Sequence, residues 1–310
     1  MKTVVVGAGA IGGFIAARML EAGLDVTLLV REGRKQKLQA HGLVVKSPTG
    51  DHESRPPLLV SGEVGGPFDL VIMAIKAYGL NEAIEQLRPY LHPHTAILPF
   101  LNGMKHMEQL AEAYPGQPLL GGVARIEVTL GEDGVIHHLT PNHQFTYGKF
   151  RNFTEPQYEA LRIALSVVPL FAEKSDIGRD LWEKYALINV LSGLTSLFQA
   201  SVGDIRDSSR GMDTFKQAFQ ETSEVIRLAG GKLSEGLVEK QLKMIEKWPR
   251  ESTSSMLRDL SLGLPTESEH IQGYLLELAH RYGCSVPLLE IIRQRLEIYE
   301  NHRIAAFKSS

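Results

Sequence analysis

The chain opens on an apolar run, Thr3-Val4-Val5-Val6, that breaks at Gly7-Ala8-Gly9-Ala10-Ile11-Gly12. Helical spacing follows from Ile11 to Ala22, closed by Gly23, and a second apolar run covers Asp25 to Val30. Short apolar runs bounded by glycine read as buried strands, and apolar residues three and four apart read as a helix. The alternation continues. Phe68 to Ile75 is predicted as a strand, entered through Gly65-Gly66-Pro67, Asn81 to Leu91 as a helix, and Thr95 to Leu101 as a strand. Leu119 to Leu130, Gly134 to Leu139 and Gln144 to Phe150 alternate around turn residues such as Gly131-Glu132-Asp133-Gly134, which predicts an antiparallel extension of the sheet. After about Asp176 most of the chain has helical period, interrupted at Gly230-Gly231, Pro249 and Gly263-Leu264-Pro265. The expected fold is α/β: an N-terminal Rossmann-type doubly wound sheet over residues 1–175 and an all-helical C-terminal domain over 176–310, with a ligand cleft between them.

Composition narrows the class. At 310 residues the chain can bury two cores. Its hydrophobic fraction of 43% is ordinary for a soluble globular protein, and a net charge of −3 offers no field for nucleic acid or an anionic membrane. A single cysteine, Cys284, excludes an intrachain disulfide framework. The N-terminus reads as a core strand rather than a signal peptide, and no apolar run reaches the roughly 18 residues of a membrane span. The expectation is a cytoplasmic protein with neither nucleic acid nor membrane as a partner.

The first loop carries chemistry. A glycine pattern between a strand and a helix suits a dinucleotide: Gly7 for the tight turn, Gly9 for close approach of the pyrophosphate, Gly12 for packing of helix on strand. Ala8, Ala10 and Ile11 complete the loop, whose helix start presents free N–H groups to phosphate. An NAD site usually ends its second strand on a carboxylate, about 20 residues past the glycines, for the ribose hydroxyl. Here Val30 and Arg31 stand there, with Arg34 and Lys35 beyond and Glu32 as the contrary charge. Arg31 is either a solvated loop cation or the grip on a 2′-phosphate, and the missing carboxylate favours NADP.

Ligands of open α/β sheets bind beyond the carboxyl ends of the strands. Lys76 and Asn102-Gly103 fall at two such ends. Lys76 suits a ribose or a substrate carboxylate, and Asn102 the cofactor or the substrate; each also fits a plain surface position. The amphipathic helix from Asp180 to about Phe198 carries Lys184 among apolar neighbours, where partial desolvation would ready it for proton transfer, although helix lysines commonly reach out to water. Ser252 to Ser255 are N-cap candidates that could instead hold a carboxylate. Thr266 and Glu269 fit a capping box, which leaves Glu267 as a first-turn acid or an acceptor for a substrate hydroxyl. His137, His138 and His143 do not read as a metal site, because neighbours on a strand face opposite ways.

With these residues laid out, the chain resembles the ketopantoate reductase family (2-dehydropantoate 2-reductases) over nearly its whole length. The resemblance rests on the Gly7, Gly9, Gly12 loop, Arg31, Ile75-Lys76-Ala77, Asn102-Gly103, Trp182-Glu183-Lys184, Ser254-Ser255-Met256 with Asp259, and Thr266-Glu267 with Gly273. It implies NADPH-dependent reduction of ketopantoate to pantoate, a precursor of pantothenate. It implies Lys184 as general acid, Glu267 as acceptor for substrate hydroxyls, Ser255 near the substrate carboxylate, and Lys76 and Asn102 as the cofactor-side and active-site polar pair. The family usually carries asparagines four and eight residues after the lysine; Ile188 and Ser192 stand there instead, Ser192 remaining a substrate-binding candidate. Asn189 is one residue late: five residues turn a helix by about 140° from Lys184, so Asn189 is expected to point away unless the helix has a π-bulge. Another branched 2-keto acid as substrate, and a non-catalytic NADPH-binding sensor, stay open, as does a homodimer.

Overall fold

The structure is a computed structural model and describes residues 1–309. The chain divides into two compact units, Met1–Leu101 with His106–Ile177, and Asn102–Lys105 with Gly178–Ser310.

The first unit is a ten-stranded sheet with helices. In chain order it comprises β1 (Lys2–Val6), α1 (Ala10–Glu21), β2 (Asp25–Leu29), α2 (Glu32–His41), β3 (Leu43–Lys46), β4 (His52–Ser54), β5 (Leu58–Leu59), β6 (Leu70–Met73), α3 (Leu80–Leu87), β7 (Ala96–Pro99), α4 (Lys105–Ala113), β8 (Leu119–Leu130), β9 (Ile136–Arg151), α5 (Glu155–Ser166) and β10 (Phe171–Glu173). Strand order is β4-β3-β9-β8-β7-β6-β1-β2-β5, with β10 beside β9. From β5 to β8 every pairing is parallel, and β9 then runs antiparallel to β8. All four residues of β6 and of β7 are buried, which is why these strands read as unbroken apolar runs rather than alternations. From β1 the chain steps to β2 on one side and returns to β6 on the other, so the carboxyl end of β1 is the topological switch point where such sheets bind ligands.

Several expected boundaries move. The strand expected to reach Ile75 ends at Met73, and the one expected from Thr95 to Leu101 is confined to Ala96–Pro99. The helix expected to Leu91 stops at Leu87 and tightens into a 3-10 turn over Arg88–Tyr90, which holds a proline. The two strands expected at Gly134–Leu139 and Gln144–Phe150 are one strand, β9. Its pairing register jumps between Ile126–His143 and Val128–His138, so a bulge absorbs the turn-like Pro141-Asn142 without ending the strand. Helix α2 leaves no signal in the sequence because it buries only Leu38 and shows no apolar stripe.

The second unit is helical: α6 (Ile177–Phe198), α7 (Val202–Arg206), α8 (Gly211–Leu228), α9 (Leu237–Lys247), α10 (Ser255–Ser261), a π-helical turn (Glu269–Gly273), α11 (Tyr274–Tyr282) and α12 (Pro287–Ser309). Its core centres on α8, whose Phe215, Phe219, Val225 and Ile226 are fully buried and which packs against α9, α11 and α12. No described helix is long and apolar enough to cross a membrane.

Candidate active site

In the sheet unit the glycine loop has the shape of a dinucleotide cradle. Gly7 sits at φ +89°, and a Cβ there would lie 2.5 Å from Ile75 Cγ2 and 2.9 Å from the Ala74 carbonyl. A Cβ on Gly12 would stand 1.9 Å from the Gly7 carbonyl, so only glycine lets α1 begin this close to the turn. Nothing lies within 4 Å of the position a Cβ would take on Gly9, the N-cap of α1. That helix start has no side-chain cap and no acidic residue in its first turn. Bare N–H groups and open space at Gly9 fit a pyrophosphate. Ala8, Ala10 and Ile11 lie along this loop, whose back is fastened by Arg34: its Nε donates to the Ala8 carbonyl at 2.9 Å and its terminal nitrogens reach the Gly134 carbonyl at 3.3 and 3.4 Å. Burial pulls the Arg34 guanidinium below its ordinary pKa.

Arg31 is the N-cap residue of α2, with its side chain 73% exposed and ion-paired to Glu82 on α3. Since β1 lies between β2 and β6, this pair links the segments that follow β2 and β6 on either side of the glycine loop. Glu82 is 51 residues from Arg31, and no local signal marked it. Lys76, partly exposed, precedes a single 3-10 turn at Ala77–Gly79.

In the helical unit three residues from distant parts of the chain meet. Lys184 Nζ on α6 donates to Asn102 Oδ1 at 3.0 Å, and Asn102 Nδ2 donates to Glu267 Oε2 at 3.4 Å. The amide thus stands between ammonium and carboxylate with each of its ends matched to the charge it faces. Glu267 is only 5% exposed. Asn102 reaches this position because Gly103, at φ +91°, brings its backbone so near the π-helical turn that a Cβ would lie 2.9 Å from the His270 carbonyl. Burial lowers the His270 pKa, as does Lys105, against the opposing pull of Glu267 and Glu269.

The expected capping box at Thr266 and Glu269 does not form. The Thr266 N–H and hydroxyl both donate to Glu300 Oε1, at 2.8 and 2.6 Å, while Glu269 pairs with Arg293 at 2.6 Å. The helix is instead entered at Glu267, whose carbonyl accepts from the N–H groups of His270 and Ile271, both at 3.0 Å. Long-range partners therefore outcompete the local cap. Ser255 is the exposed first residue of α10; its neighbour Ser254 is the cap, accepting from Leu257 N–H at 3.0 Å and bonded to Thr195 on α6 at 2.8 Å. Ser192 is 5% exposed, and its hydroxyl donates to the Ile188 carbonyl at 2.6 Å and accepts from Gln272 at 2.8 Å. Helix α6 carries no π-bulge, and Asn189 does turn from the Lys184 face: it is fully buried and donates to the Ile271 carbonyl at 3.2 Å.

A Rossmann-type sheet with an open glycine cradle, followed by a helical unit holding a lysine, an asparagine and a buried carboxylate in line, fits a nicotinamide-dependent oxidoreductase, and the matches to known proteins agree. The family model Ketopantoate reductase PanE/ApbA matches residues 3–152, and its companion for the C terminal matches residues 176–300. The chain belongs to the ketopantoate reductase family. It is 38% identical over 301 residues to the "Uncharacterized oxidoreductase YkpB" of Bacillus subtilis (strain 168), covering 97% of this chain and 99% of that protein. It is 28% identical over 316 residues to the 2-dehydropantoate 2-reductase of Escherichia coli O157:H7, covering 97% of each. A crystal structure of 2-dehydropantoate 2-reductase from Methylococcus capsulatus superposes with a TM-score of 0.86 at 26% identity, over 98% of each chain.

Proposed function

We propose that the chain reduces a branched 2-keto acid with NADPH, ketopantoate to pantoate being the leading reaction. The observation that carries this is the hydrogen-bonded line Lys184–Asn102–Glu267. When bound, the reduced nicotinamide supplies the hydride that the keto carbon receives. Lys184 gives a proton to the keto oxygen as it gains negative charge, and solvent returns that proton to the amine. Asn102 holds the ammonium through its Oδ1, which keeps the donor in one place before the substrate arrives. Glu267 accepts from a substrate hydroxyl, and Ser255 at the start of α10 receives the carboxylate end. A binding-only sensor has no use for a lysine linked through Asn102 to a nearly buried carboxylate. Arg31, with no carboxylate at the end of β2, meets the 2′-phosphate of NADP, and Lys76 supports the cofactor side.

A second reading has its own support. Ile188 follows Lys184 by one helical turn, and the Ser192 hydroxyl, two turns on, is engaged by Ile188 and Gln272. The lysine face of α6 is thereby poor in groups for a substrate hydroxyl. The relative at 38% identity is named only as an oxidoreductase, while the 2-dehydropantoate 2-reductase stands at 28%. Both points favour a branched 2-keto acid without the 4-hydroxyl. The test is NADPH oxidation with ketopantoate and 2-ketoisovalerate. A kcat/KM ratio of about 10⁴ or more in favour of ketopantoate fits a fully hydrogen-bonding site. A ratio of about ten or less supports the second reading, and no oxidation with either acid overturns both.

A further inference from the structure

The proposed reaction uses Lys184, Asn102 and Glu267 but not the turn that Glu267 leads into. That turn is the π-helical segment Glu269–Gly273, a geometry rare in proteins and concentrated at functional sites. Four side-chain bonds tie it to α6. The Ile271 carbonyl accepts from Tyr185 Oη at 2.6 Å and from Asn189 Nδ2 at 3.2 Å. Gln272 Nε2 donates to the Asn189 carbonyl at 3.0 Å and to Ser192 Oγ at 2.8 Å. Tyr185 and Asn189 are one turn apart on α6, so they share a face, and both are 1% exposed or less. The Ile271 N–H in turn donates to the Glu267 carbonyl at 3.0 Å. One helix thus carries Lys184 on one face and, on the adjoining face, grips the segment that presents Glu267.

Packing alone does not call for this chemistry. Burying an amide costs free energy that a leucine, branched in the same way, would avoid, and Asn189 Oδ1 has no hydrogen-bond partner among the described residues to offset it. What the asparagine contributes is an amide N–H, donated to the Ile271 carbonyl. We infer that Tyr185 and Asn189 are positioning residues that hold the Glu267 carboxylate at its working distance from Lys184, with Gln272 bracing the same turn. This rests on the reading of Glu267 as the acceptor for a substrate hydroxyl. It also gives Asn189 a purpose beside the substituted positions Ile188 and Ser192: the asparagine acts through the opposite helix rather than on the substrate.

The test compares Tyr185→Phe, Asn189→Leu and Glu267→Ala in the full chain. The readouts are NADPH Kd by fluorescence, Tm, and the kcat/KM ratio for ketopantoate over 2-ketoisovalerate. Glu267→Ala is expected to lower the ratio at least tenfold. Tyr185→Phe and Asn189→Leu should lower it several-fold, through KM for ketopantoate, with NADPH Kd unchanged. In the Glu267→Ala background Tyr185→Phe should leave the ratio where it is, because nothing remains for it to position. If Glu267→Ala lowers the ratio but the other two change only Tm, the inference falls and the reading of Glu267 stands. Equal effects of Tyr185→Phe in both backgrounds also overturn it. If Glu267→Ala leaves the ratio unchanged, or the parent reduces neither acid, both fall together. Should Asn189→Leu fail to fold, Tyr185→Phe, which removes one oxygen and keeps the ring, decides the matter.

Discussion

Single residues carry the chemistry unequally. Lys184 is the one proposed proton donor, and a positioned acid is typically worth about 10²–10⁴-fold in rate. Lys184→Ala is therefore expected to lower kcat by two orders of magnitude or more while NADPH still binds, as pre-steady-state mixing and fluorescence titration would show. Turnover within a few-fold of the parent would place the acid elsewhere. The role proposed for Arg31 is of a different kind. Its bond to Glu82 is an exposed ion pair, of a class worth about 0–1 kcal/mol, so a phosphate that offers stronger, charge-assisted bonds can displace it. NADPH is expected to bind at least tenfold more tightly than NADH, about 1.4 kcal/mol. Arg31→Ala should erase most of that preference, and Glu82→Gln should tighten NADPH a few-fold with little change for NADH. Titration of the three proteins with both cofactors checks this, and equal affinities in the parent would refute it.

At the scale of elements, the approach to Glu267 is held by α12 as well as by α6. Burial works to raise the Glu300 carboxyl, but the bonds from Thr266 and Arg303 outweigh it and leave the group below its ordinary value of 4.5. The sign follows from linkage: a carboxylate lowered in the folded state stabilises fully above its unfolded pKa, and that contribution disappears as pH falls through the folded value. Glu300→Gln should therefore cost stability near pH 7 and much less near pH 3. Urea midpoints of parent and variant at the two pH values measure the difference, and a gap independent of pH would contradict it. The elements were unequally legible in the sequence. Helix α6, with its apolar spacing, and the runs of β1, β2 and β8 announce themselves. So do α1, β6, α3 and β7, though their ends shift, whereas several others, α2 among them, do not. Helix α2 has no apolar face to show, and β9 hides its continuity behind Pro141 because a bulge opposite β8 absorbs the extra residues.

For the whole molecule, the cradle proposed for the cofactor is also part of the fold. A ligand at a hundred times its Kd stabilises the state that binds it by about 2.7 kcal/mol. NADPH at that concentration should raise the unfolding midpoint by several degrees, at about 2–4 °C per kcal/mol for a unit of this size. Gly12→Ala, whose Cβ would meet the Gly7 carbonyl at 1.9 Å, should unfold at a lower temperature and lose the NADPH-dependent rise. Scanning calorimetry with and without cofactor tests both, and a full rise in the variant would argue against the loop as the binding site.

The sequence by itself determined the glycine turn, the parallel strands around it, the helical second half and the family to which the chain belongs. These follow from period, turn chemistry and short motifs, all of which act over a few neighbouring residues. Only the tertiary structure decided that Asn102, 82 residues from Lys184 and 165 from Glu267, stands between the two. It alone assigned Glu82 to Arg31, Glu300 to Thr266, and Asn189 to a carbonyl on another helix. The helical wheel correctly turned Asn189 from Lys184 but could not say what it faces, since a buried polar group takes its partner from whatever packing brings within reach.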